Sequence, residues 1–147
     1  MVGWSVVFLP ETDRDLLRLQ TADATLPARL RDGILGIFMD PFKAARFLDA
    51  VEGHARTAQV DRLEGSAFPQ SFRIQVLHDY RATLWCLPSF KQVAIVHVFS
   101  KSSDPAYRQA LVAHDARLDE YFLRFKEFAD RAERRRGRSG TPRAGRG

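Results

Sequence analysis

Apolar and polar residues alternate over 72–77 and 80–87, and the chain then turns apolar on both faces over 92–99. In the first stretch Phe72, Ile74 and Val76 share one side, with Arg73 and Gln75 on the other. In the second, Ala82, Leu84 and Cys86 oppose Arg81, Thr83 and Trp85. A period of two predicts strands. The third stretch, whose only ionisable residue is His97, predicts a central strand covered on both faces. The connections between the three are tight, which forces antiparallel pairing. Nearer the N-terminus, WSVVFL (4–9) ends at Pro10 and predicts a further strand of the same sheet.

The remaining periodicity is helical. A short helix is predicted over Glu11 to Leu19. Leu26 to Phe38 places Leu26, Leu30, Ile34, Ile37 and Phe38 on one stripe. Asp40-Pro41 breaks it, because proline disfavours a helical residue before it. Phe42 to Val51 resumes and stops at Gly53. Residues 54–70 are mixed, with a short strand at Val60–Leu63 and a loop through Gly65, Ser66 and Pro69. Ser103 or Asp104 caps a last helix with Pro105 in its first turn. There Tyr107, Leu111, His114, Leu118, Tyr121, Phe122 and Phe125 form the apolar stripe. The β-α-α-β-β-β-α order predicts an α+β fold, a small antiparallel sheet with helices packed on one face.

At 147 residues the chain is long enough for one domain with its own core. Cys86 is the single cysteine, so neither an internal disulfide nor a cysteine metal site is expected. The N-terminus lacks the basic start and apolar run of a signal peptide, and the default expectation is a cytoplasmic protein without a membrane segment. The net charge of +5 is unevenly held: residues 131–147 carry seven arginines and one acid, a net +6, which leaves 1–130 at −1. The expected organisation is a domain over 1–130 and a flexible basic tail over 131–147. Charge alone does not make the domain a nucleic-acid binder.

WSVVFLPETDRDLLRL (4–19), FRIQVLHDYRATLW (72–85) and VAIVHVFSKSSDPAYRQAL (93–111) resemble the RelE/ParE toxin superfamily, especially its HigB-like branch. The likeness follows element order over roughly 4–125 and is specific over 71–108. It implies a RelE-like fold. It further implies a metal-independent, cofactor-free endoribonuclease that cuts mRNA with the ribosome and is neutralised by a cognate antitoxin, expected to be a helix-turn-helix protein. In that chemistry the ribose 2′-OH attacks the adjacent phosphate, a base takes its proton, cations stabilise the added negative charge, and an acid protonates the leaving oxygen. By position, Arg73 takes the place of a strand lysine. Arg81 matches the arginine of a Tyr-Arg turn, Lys101 a basic residue ending the last strand, and Tyr107 a tyrosine on the final helix. Gln75 and Ser102 depart from the pattern, where a lysine and an arginine stand. His97 and His78 are then the candidates for acid–base work. His78, Tyr80, Trp85 and Lys91 are the expected RNA contacts.

Each residue also has a plainer reading. Arg73 and Arg81 fit equally well as partners of Asp79, Asp61 or Glu64 on a solvated sheet face. His97 fits a satisfied buried histidine, His114 the core, and His78 and Lys101 exposed surface. Trp85 either stacks on a base or packs under the last helix. Two other functions share the expected fold: a ParE-like gyrase inhibitor, and a non-enzymatic protein-binding module.

Overall fold

The computed structural model describes residues 3–53, 59–101 and 104–139. Strand β1 (Ser5–Phe8) leads into α1 (Pro10–Leu19), α2 (Leu26–Met39) and α3 (Pro41–Val51). Then come β2 (Val60–Arg62), β3 (Ser71–Val76), β4 (Tyr80–Leu87), a 3-10 turn at Pro88–Phe90, β5 (Gln92–Ser100) and α4 (Asp104–Ser139). The strands form one sheet in the order β1-β5-β4-β3-β2. The three long strands are sequential and antiparallel, and β2 adds antiparallel to β3.

The fold is α+β, as the pattern predicts, with two differences of arrangement. β1 runs parallel to β5, pairing Ser5 with Gln92 and Phe8 with Ile95, because the chain crosses back through three helices before β5 is laid down. The helices also cover both faces. Trp4, Ile34, Phe38 and Phe47 pack with Phe72, Ile74, Leu84 and Ile95 on the α1–α3 side. Leu118 of α4 packs with Ala94 and Val96 on the other, flanked by Trp85 and Phe122. Strong alternation in β3 and β4 hid this, since Arg73, Gln75, Arg81 and Thr83 make the α4 face read as solvent.

Local chemistry sets the joints. Asp40 caps α3, its Oδ1 accepting from the backbone N–H of Phe42 at 2.9 Å and of Lys43 at 3.2 Å. Gly53 follows α3 at φ +81°, the left-handed end expected of glycine. In β5 a bulge leaves Val96 unpaired between the partners of Leu84 and Thr83, so His97 lies opposite Thr83 on the α4 face. Beyond Phe8 the edge of β5 is completed by side chains: Thr12 Oγ1 donates to the Ile95 carbonyl at 2.9 Å, and the Val98 N–H donates to Asp15 at 3.0 Å. α4 continues as helix through Ser139, where the sequence reading begins a flexible tail at 131. Ala132, Glu133 and the arginines are strong helix formers, a term outweighed in that reading by the lack of apolar anchors. The expected cap Ser103 and the variant position Ser102 lie outside the described residues.

Candidate functional site

The β3–β4 hairpin organises the candidate site. Leu77 and His78 both sit in the left-handed region, at φ 48° and 61°, a conformation that costs non-glycine residues on the order of 1–3 kcal/mol. Arg81, just past the turn, donates from Nη1 to the carbonyls of His78 and Tyr80, each at 2.9 Å. Its guanidinium therefore clamps its own turn. Arg73 faces the same side of the sheet. The register opposes Asp61 to Arg73, and Arg73 Nη2 meets Asp61 Oδ2 at 3.1 Å. The guanidinium also lies over the Tyr107 ring, 4.8 Å from its centroid. Gln75 pairs with Arg81, and Arg73 with Thr83, so the two arginines are diagonal cross-strand neighbours, about 7–8 Å apart at the backbone. Lys101 is exposed, and its N–H donates to the Asp79 carbonyl at 2.8 Å. Arg73, Arg81, Lys101, Tyr107 and the exposed His78 thus gather at one end of the sheet.

Other expected site residues lie elsewhere. Tyr80 packs on the α1–α3 side, opposite the arginines, because it shares the parity of Ala82 and Leu84. Trp85 lies under α4, edge-on to Phe122 at 5.0 Å, so packing wins over base stacking. Lys91 follows the 3-10 turn at the far end of β4, about 20 Å along the strand from Arg81.

His97 belongs to a network that the sequence does not announce. Asp15 of α1, 2% exposed, receives Arg117 of α4 through both oxygens, at 2.6 and 2.8 Å. His97 Nδ1 lies 2.8 Å from the same carboxylate and 2.9 Å from Arg117 Nη1. Arg117 also donates to the Val96 carbonyl at 2.8 Å. Burial alone would raise the Asp15 pKa, but the hydrogen bonds from Arg117 and His97 outweigh it and hold the carboxyl at about 2. A neutral His97 that donates from Nδ1 to Asp15 keeps its lone pair on Nε2. The available signal was Asp15's place on the buried stripe of α1, beside Thr12 and Leu16. A carboxylate there needs a partner.

His114 is fully buried between two hydroxyls, with Thr83 Oγ1 2.8 Å from Nδ1 and Ser71 Oγ 2.8 Å from Nε2. Burial pushes its pKa down to about 4, so it is neutral at physiological pH and reads as core. Ser66 extends this chain, donating to Asp115 at 2.6 Å. Burial pushes the Cys86 thiol up to about 12, which removes it as a nucleophile. Among the described residues no group of three His, Cys, Asp or Glu could hold a metal ion. No helix among them is long and apolar enough to cross a membrane.

No protein-family model and no curated protein matches the chain by sequence. Among the solved structures similar to it are two toxin-system proteins. One is a double arginine-to-alanine mutant of the E. coli toxin RelE in the free state, at 14% identity and a TM-score of 0.46, covering 76% of this chain and 96% of that one. The other is the toxin–antitoxin complex RelBE2 from Mycobacterium tuberculosis, at 16% identity and a TM-score of 0.42, covering 67% of this chain and 99% of that one. These figures describe a loose likeness of fold.

Proposed function

We propose that this protein is the toxin of a type II toxin–antitoxin pair, of the HigB-like kind, and a metal-independent endoribonuclease that cuts mRNA with the ribosome. The observation that carries the reading is the pair of diagonal arginines, Arg73 and Arg81, on one sheet face, with Tyr107 over Arg73. A scissile phosphate between them replaces Asp61 as the partner of Arg73, and Arg81 turns from its own carbonyls toward the developing charge. Lys101 supplies a further cation at the rim. His97 is the base in this reading, its Nε2 lone pair fixed by the Asp15 contact. A cognate antitoxin neutralises the protein by covering this face.

A second reading has an observation of its own. Arg73 is paired with Asp61, and Arg81 is spent on its own turn, which suits a face that meets a protein rather than a phosphate. That favours a non-enzymatic binding module or a ParE-like gyrase inhibitor. Mapping mRNA 5′ ends in expressing cells separates the readings. New cleavage sites are expected with wild type and should vanish with Arg81→Ala and with Arg73→Ala, since loss of one preorganised donor costs on the order of 10²–10³ in rate. Cleavage that persists in both variants overturns the site. No cleavage in wild type, with altered plasmid supercoiling, gives the gyrase reading.

A further inference from the structure

Behind the hairpin, on the α1–α3 side, a cavity of about 320 Å³ opens between α2, α3 and the β2–β3 edge. That volume falls in the range of small-molecule sites, roughly 300–1,000 Å³. Its walls include Ile37, Phe47, Ile74, Val76 and Leu77, with Gln59 and Gln75 as the uncharged polar members. Two cations, Lys43 and Arg46, line it, and among the described residues no acid does. Both cations are exposed, and among the described residues neither has a carboxylate partner. Gly33 brings α2 close to β3, since a Cβ there would lie 3.2 Å from Val76 Cγ1. At the other wall, the strained left-handed turn holds Leu77 38% exposed. A bulky apolar side chain kept half in solvent at the mouth of an apolar, cation-rimmed cavity lacks its complement.

We propose that this cavity binds a small amphipathic anion, a short alkyl chain or one or two rings carrying a single carboxylate, sulfonate or phosphate. The apolar body enters between Phe47 and Ile74, and the charged group stays at the mouth between Lys43 and Arg46. Two charge-assisted contacts there select an anion over a neutral analogue.

The test uses the full chain and the fluorescence of 1-anilinonaphthalene-8-sulfonate, with circular dichroism verifying the fold of each variant. Saturable one-to-one binding is expected. Decanoate and decyl phosphate should displace the dye, and whichever competes better identifies the preferred headgroup. Decanol should compete weakly. The surface variant K43E/R46E should bind roughly tenfold less tightly, the loss of about 1.4 kcal/mol, while Lys126→Glu on α4 should bind like wild type. Ile37→Trp, which fills the cavity, should lose dye and decanoate alike. Absence of saturable binding, equal competition by decanol, or equal affinity in K43E/R46E and wild type would each overturn the proposal. So would a matching loss in Lys126→Glu. The readout is binding, so its failure leaves the nuclease reading untouched.

Discussion

A buried carboxylate with donors from two other elements is the most demanding residue in this molecule. Removing Arg117 leaves the buried Asp15 with only the His97 and Val98 contacts, and breaking such a pair costs up to about 3–5 kcal/mol. Arg117→Ala should therefore lower the urea midpoint sharply, whereas the exposed Lys126→Ala should not move it. The pH profile carries two separate signatures. His114 is held at about 4, below the value of about 6.5 for an unfolded histidine. Its contribution is complete above pH 6.5 and falls away as the pH drops toward 4. Asp15 is held at about 2, below the unfolded value of about 3.9, so its contribution is complete above about pH 4 and is lost toward pH 2. Urea midpoints measured from pH 7 to 2.5 should fall in both windows. His114→Gln should flatten the first and Asp15→Asn the second. The arginines of the candidate site were legible because alternation fixes which face a strand residue takes. The same rule put Tyr80 with Ala82 and Leu84, a consequence the sequence reading left undrawn. Asp15 and Arg117 were not legible together, since their pairing spans 102 positions of sequence.

Among the elements, the helix stops at Asp40 and Gly53 and the three-strand run were readable from local chemistry alone. The bulge at Val96 was not, because a run apolar on both faces carries no phase to interrupt. Nor was the side taken by α4, where His114 bonds with the Thr83 and Ser71 hydroxyls and Leu118 packs on Ala94 and Val96. Among the described side chains, α4 makes its last ring contacts with the body at Phe122, while Leu123 and Phe125 are 57% and 63% exposed. The segment beyond them adds positive charge and little apolar area. Deleting 135–147 should leave the melting temperature within about 2 °C of wild type, as surface changes of about 0.5 kcal/mol do. The same deletion should weaken any RNA binding and flatten its dependence on salt, because five arginines no longer displace counterions. A large drop in melting temperature would show the tail docked on the body.

For the whole molecule, the toxin reading expects that induction of the protein alone arrests bacterial growth, and that co-expression of a neighbouring helix-turn-helix protein restores it. Normal growth at verified expression would favour the binding-module reading. If purified protein cleaves mRNA on ribosomes, chelation by EDTA at constant ionic strength should leave the rate of a magnesium-independent step unchanged. The topology bears on synthesis as well. Among the described residues the first strand pairs only with the last, Thr12 bonds to Ile95 across 83 positions, and Asp15 waits for Arg117. Contacts this distant in sequence slow folding, and a domain grows from its N-terminus as it is made. A nascent chain that ends before residue 92 has no partner for β1 and carries an unmatched acid in α1. It is expected to stay open to proteases. A protein harmful when folded would thereby remain inactive until nearly all of it has left the ribosome.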